Sequence, residues 1–339
     1  MKINNKDIKF NFTVIFAFIC GVIFIFATYA WFSSSLNVEI EFVNLSVNNT
    51  TGLYISLDGI TYGDSVTVNR ESITNDLDPL YPGNNNKWPM GKGMYPISSP
   101  GILVDNNDGD FDWFVKVRED KPRNSEDLRI GLKKYKTRGN SANFIAFDLF
   151  IKNISFSRKA DNLYLWEQTG INLLDDKDPL SVGMLNSMRM GFSFDGFVDD
   201  HNAPSSVVQN LNCDNACKDM IYEPYSTSHN ETAIENAADA NVDLVNGEYF
   251  PTYAIKQEAK FVPLYSGYSD KYPIDEIYYK EQETFTELNE KMFEIPHGIM
   301  KMKVYIWMEG QDIDSLYTVS NGDTLSIDLQ FHKDNAGYR

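Results

Sequence analysis

The segment "DNNDGDFD" gathers Asp105, Asn107, Asp108, Asp110 and Asp112 within one short stretch. Hard oxygen ligands at such close spacing are what a calcium ion requires. The EF-hand arrangement is excluded, because aligning Gly109 with the turn glycine of that motif brings Val104 to the first ligand position. A calcium loop of another kind and a solvated acidic turn both fit the segment, and the same two readings hold for "FDGFVDDHN". Calcium is therefore the one candidate cofactor, and otherwise none is expected.

The remaining chemistry-bearing residues are scattered. His201, His229, His297 and His332 stand in unrelated contexts with no H-E-x-x-H, so a zinc site has no rigid element on which to collect its ligands. There is no G-x-S-x-G or S-x-x-K signature for a serine nucleophile. Gly91 and Gly93 in "GKGMYP" neither follow a strand nor open a helix, which excludes a phosphate cradle. No catalytic residue is assigned. Cys20 lies in an apolar run, which leaves Cys213 and Cys217 in "NCDNACKD". Their spacing is not C-x-x-C, so a local disulfide and two free thiols are the readings left, the former suiting an exported domain. Trp31, Trp88, Trp113, Trp166 and Trp307 could line a glycan surface or fill a core.

What must position these residues begins at the N-terminus. Lys2, Lys6 and Lys9 precede an apolar core, Val14–Ala27, of signal-peptide length. Counted from Phe10 to Phe32, the same run is about twenty residues and long enough to span a bilayer. Either way the lysines stay in the cytoplasm and the rest of the chain is exported. Residues 1–30 are thus read as a signal peptide, cut between Ala30 and Trp31, or as a retained signal anchor forming an N-terminal hydrophobic helix. No carboxylate lies between Ile8 and Leu36, against a type IV pilin.

The apolar run gives way at once to alternation. Leu36, Val38, Ile40 and Phe42 alternate with polar residues, and the phase then shifts to Val43, Leu45 and Val47. Alternation predicts a half-buried strand, and the one-residue shift predicts a β-bulge. Further ladders follow: Leu53, Ile55 and Leu57 before the turn Asp58-Gly59, then "NFIAFDLFIKN", apolar on both faces except Asp148. In "NSMRMGFSFDGF", Met188, Met190, Phe192 and Phe194 oppose Arg189, Gly191, Ser193 and Asp195. "KMKVYIWMEG" puts Met302, Val304, Ile306 and Met308 on one face, which leaves Trp307 outward, under a second layer or at an interface. Short helices are expected at Asn230–Asp239 and Glu283–Lys291. The fold class predicted is all-β, an antiparallel sandwich of jelly-roll type. It forms a single domain, 31–339, with decorated loops inserted near 77–112 and 198–249.

Composition agrees. The 339 residues are 42% hydrophobic and 14% aromatic, which favours β structure over disorder. The net charge of -18 repels phosphate backbones, so nucleic acid is excluded as a partner.

The blocks "ATYAWFSSSLNVEIEFVNLSV", "GLYISLDG", "NLYLWEQTGIN", "IYEPYSTSHNETA" and "KVYIWMEGQDIDSLYTVSNGDTLSIDLQF", in this order, resemble a group of bacterial exported proteins similar to the TasA and camelysin family. That resemblance implies a signal peptide cut by a dedicated peptidase, a jelly-roll domain and a place at the cell surface or in the extracellular matrix of a biofilm. It also implies a subunit that polymerises by lending its N-terminal strand. The chain departs from the group in its longer loops and in Ser315, where many members carry cysteine. The expected function is therefore structural and non-enzymatic, with Leu36, Val38, Ile40, Phe42, Val43, Leu45 and Val47 as the assembly strand. Expected partners are copies of itself or related surface subunits, and the membrane if residues 1–30 are retained. Two alternatives are a membrane-anchored ectodomain that binds glycan or a host ligand, and a metal-dependent surface hydrolase.

Overall fold

The computed structural model describes residues 38–48, 52–75, 79–89, 93–99, 101–102, 109–116, 132–135, 142–154, 160–174, 183–213, 217–225, 291–310 and 324–334, together with isolated residues and two-residue strands between 231 and 288 and at 137, 312 and 314. Its sandwich strands are β1 (Glu39–Val47), β2 (Leu53–Ser56), β3 (Ser65–Val68), β4 (Ile145–Asn153), β5 (Asp161–Leu165), β6 (Gly170–Leu173), β7 (Met188–Val198), β8 (Lys218–Tyr222), β9 (Thr284–Phe285), β10 (Lys291–Ile295), β11 (Gly298–Met308) and β12 (Thr324–Asp334). They form two six-stranded sheets. The first has the order β10-β5-β12-β1-β3, with β6 also paired to β12. The second has the order β9-β8-β7-β11-β4-β2. The chain is the all-β sandwich that alternation predicts, with most pairs antiparallel.

The inner faces follow from the period-two pattern. Met300, Met302, Val304, Ile306 and Met308 of β11 meet Leu325, Ile327, Leu329 and Phe331 of β12 in one apolar cluster. Phe192 and Phe331 touch edge-to-face across the two sheets, with ring centroids 6.2 Å apart.

β1 is central rather than peripheral. It runs parallel to β12, pairing Glu39 with Thr324 and Val47 with Phe331, and antiparallel to β3 on its other side. Its register against β12 slips between Ile40 and Phe42. Accordingly the buried side chains change from Val38 and Ile40 to Val43, Leu45 and Val47, which is the bulge read from the phase shift. Each such side chain contributes about 1.5–3 kcal/mol when fully buried, so β1 is an integral part of the core. From Val43 to Ser46 it is paired on both edges, with β12 and with β3. Leu36 lies outside the described residues.

Two further expectations change. None of the described residues of Glu283–Lys291 is helical, since Thr284–Phe285 is a strand and Lys291 opens β10. The helical turns lie elsewhere, at α1 (Arg70–Ile73), α2 (Gly183–Asn186) and α3 (Ser205–Val208). The first carries a capping box in which Asn69 accepts from Ser72 N at 2.9 Å. Of Asn230–Asp239 only Glu231 is described.

The described residues between 79 and 114 also do more than decorate. They cross the outer face of the second sheet, bridging Lys87 to Ala146, Ile97 to Glu309 and Ser98 to Phe114. Under them a second cluster forms from Ile97, Phe111, Trp113, Phe144, Tyr305 and Trp307. Phe111 stacks on Tyr305 at 4.4 Å, and Trp113 stands edge-on to Trp307 at 5.4 Å. Outward-facing Trp307 is fully buried beneath this added layer.

Candidate functional site: charged networks under the added layer

A β-strand with two buried faces places every second residue in the outer layer, and here those positions carry charge. On β11 they are Lys301 and Lys303, which alternate with the core methionines. Sheet register sets Asp148 of β4 and Ser193 of β7 opposite Lys303. A register slip in the pairing of β11 with β7, between Lys301 and Met302, leaves Asp195 without a ladder partner and beside Lys301.

The result is a chain of alternating charges. Lys301 Nζ lies 3.5 Å from Asp195 and 3.7 Å from Asp148. Lys303 Nζ is 3.9 Å from Asp148 and 2.7 Å from Asp110, whose Oδ1 also accepts from Tyr305 OH at 2.8 Å. Tyr81 OH donates to Asp148 Oδ2, and Asp148 N donates to Asn86 Oδ1. Burial pulls the Lys303 ammonium down, but Asp148, Asp110 and Asp195 together hold it above the ordinary amine range. Burial pushes the Asp195 carboxyl up to about 7, reinforced by Asp148 and Asp110 and opposed by the two lysines. Asp110 is held below the ordinary carboxylate range, since the adjacent Lys303 ammonium outweighs the cost of burying its charge. With Lys303 held as a cation against Asp110, the network works as an ionic fastening between the added layer and the sheet, and Asp195 is a proton-holding group near neutral pH.

The sign of that pH dependence follows. Between about pH 4 and pH 7 the folded chain holds a proton on Asp195 that the unfolded chain releases. Stability from this group is therefore complete below the unfolded value and is lost as pH rises through about 7. Asp195→Asn is expected to remove this slope, so that the variant gains on the wild type between pH 5 and pH 8, by about 2–3 kcal/mol. Urea midpoints at the two pH values check it, and an unchanged difference would contradict it.

A second network surrounds Arg189, on the same outer face and fully buried. Its Nη2 lies 2.7 Å from both Glu223 and Asp312, and Nη1 donates to the carbonyls of Met188 and Asn186. Glu309 joins by accepting from Trp307 Nε1 at 3.0 Å. Burial pushes the Asp312 carboxyl up to about 8 against the pull of Arg189.

The structure separates the residues singled out by the sequence. Of the acidic loop, Asp105, Asn107 and Asp108 lie outside the described residues. Asp110 is bound by Lys303 and Tyr305, and buried Asp112 donates its N–H to Gly101 O. Among the described residues no three metal-ligating side chains gather. Cys213 and Cys217 are bonded to each other, and a Cβ on Gly109 would come 3.0 Å from Cys213 Sγ. That glycine, with φ +87°, lets the added layer lie against the disulfide.

His201 and His297 approach to 5.1 Å between rings, whereas His332 packs between Tyr164 and Trp166 on the other sheet. Trp88, Trp113 and Trp307 are buried and line no surface. Ala30 and Trp31 lie outside the described residues.

Missed by the sequence reading were the charged partners Arg189, Glu223 and Asp312, and an inward-facing group, Lys333, Asp161 and Asn153. The only signal for them was a charged or amide residue recurring within an otherwise apolar ladder. No known family, curated relative or solved structure matches this chain.

Proposed function

We propose that the chain is an exported structural protein of the cell surface or extracellular matrix, and that its subunits assemble by exchanging the N-terminal strand. The observation that carries this reading is the placement of β1. Its partners are β12, far along the chain, and β3, and no hairpin turn ties it to β12. A second copy's β1 would find the same register, the same bulge and the same pockets for Val38, Ile40, Val43, Leu45 and Val47. After Val47 the chain passes from β1 in the first sheet to β2, which begins at Leu53 in the second. The apolar segment immediately before β1 is the export signal in this reading, and the bonded Cys213–Cys217 pair suits an oxidising compartment.

The test uses residues 31–339 alongside a copy lacking 31–47. The truncated copy is expected to take up a peptide of residues 31–47 and to recover its fold on doing so. The longer chain is expected to form oligomers whose size grows with concentration, followed by light scattering. A truncated domain that stays folded, monomeric and indifferent to the peptide would refute the proposal. The retained-anchor alternative separates by mass, because cleavage at Ala30 removes the first thirty residues from the cell-associated product.

A further inference from the structure

At one end of the sandwich, three strands each carry a polar residue at the next inward position after a core residue. Asn153 follows Ile151 on β4, Asp161 precedes Leu163 on β5, and Lys333 follows Phe331 on β12. All three are buried, Asn153 and Asp161 completely and Lys333 to 3% exposure. Lys333 Nζ donates to Asn153 Oδ1 at 2.5 Å and lies 3.0 Å from Asp161 Oδ2. Asn153 Nδ2 donates to the same Asp161 oxygen at 3.0 Å and to the carbonyls of Pro296 and Ile295 at 3.1 and 3.4 Å. Those three acceptors settle the orientation of the amide, so that its oxygen must face the lysine.

As a plain ion pair this arrangement is poorly served. An ammonium has three N–H bonds, yet among the described residues only two acceptors face Nζ and none donates to buried Asp161 Oδ1. Isolating such a pair from water is costly unless its remaining bonds are satisfied. What the geometry does provide is an amine against an amide carbonyl with a carboxyl group touching both. Since the C=O bond is about 1.23 Å long, Nζ is no more than about 3.7 Å from Asn153 Cγ, close to attack distance.

We infer that Lys333 and Asn153 join in a self-formed amide crosslink, with Asp161 as its catalytic proton carrier. The Lys333 ammonium passes a proton to Asp161, and the freed amine attacks Asn153 Cγ to form the Nζ–Cγ bond. Asp161 gives its proton to the amide nitrogen and takes one from Nζ. The Cγ–Nδ2 bond then breaks, and ammonia leaves. Each atom is accounted for without oxidant, reductant or co-substrate. The ion pair is replaced by a neutral amide and a neutral carboxylic acid, which removes two charges from a water-free site. The product binds β12 of the first sheet covalently to β4 of the second.

Intact mass of the purified, reduced and denatured protein tests this directly, independently of any assembly. The wild type is expected to be lighter than its sequence by one ammonia, about 17 Da, and its tryptic digest to contain one branched peptide joining Lys333 to Asn153. Asp161→Ala and Lys333→Met should each restore the full mass. Should a variant fail to fold, the wild-type digest alone decides. A folded wild type of full sequence mass, cleaved by trypsin after Lys333, would overturn the inference. So would a mass loss that survives Lys333→Met.

Discussion

Arg189→Met is expected to lower the stability of the domain by about 3–5 kcal/mol, seen as a fall in the urea midpoint with little change in slope. The guanidinium is buried among Glu223, Asp312 and the carbonyls of Met188 and Asn186. Removing it leaves the buried Glu223 and Asp312 side chains without the donor that satisfies them, in a place where water cannot replace it. Arg189→Lys should recover only part of the loss, because a single ammonium cannot reproduce the fork that reaches two acids and two carbonyls at once. Adding Glu223→Gln and Asp312→Asn to Arg189→Met should restore more than Lys does, since neutral amides carry no stranded charge. A loss below about 1 kcal/mol for Arg189→Met, the range of an exposed pair, would show that water reaches this network.

Trp307→Ala is expected to lower stability by a similar amount, about 3–5 kcal/mol. The indole has no exposure and stands edge-on to both Phe111 and Trp113, which belong to the added layer. Its loss opens a cavity beneath that layer and removes the N–H that Glu309 accepts. Because the inner core of methionines lies on the opposite face of β11, the added layer should loosen before the sandwich does. Limited proteolysis should therefore cut between residues 79 and 114 in the variant while the two sheets persist. Trp307→Phe, which keeps most of the volume, should fall between wild type and alanine. If the whole domain instead unfolded in one step with no early cut, the layer and the sheets would be a single cooperative unit.

The sequence was informative wherever the physical constraint is local. Alternation around Val38–Val47 is a statement about one strand's two faces, so it located β1, its buried side and its bulge without the structure. The same holds for β7 and β11, and Trp307 on the outward face of its ladder correctly demanded either a covering layer or a partner. Pairing is not local, and there the reading stopped. Nothing in the alternation of β1 names β12 as its neighbour or makes the pair parallel. Lys333 stands just past the ladder "DTLSIDLQFH", Asn153 ends another and Asp161 opens a third, so each looks like the polar end of an ordinary strand. Only the register of two sheets brings them within hydrogen-bond distance. The helix expected at Glu283–Lys291 failed because helix-compatible residues such as Glu283, Leu288 and Lys291 were weighed without the sheet edges available to them. Tertiary pairing overrode weak local propensity.

The parallel run of β1 against β12 has a mechanical consequence. Strands that start together also end together, so Glu39 lies beside Thr324 while Asp334 lies at the far end of β12. Pulling Glu39 and Asp334 apart would strain the hydrogen bonds of this pair in shear, all at once, instead of peeling them open singly. A subunit tethered near residue 39 and drawn from near residue 334 would resist in its strongest direction.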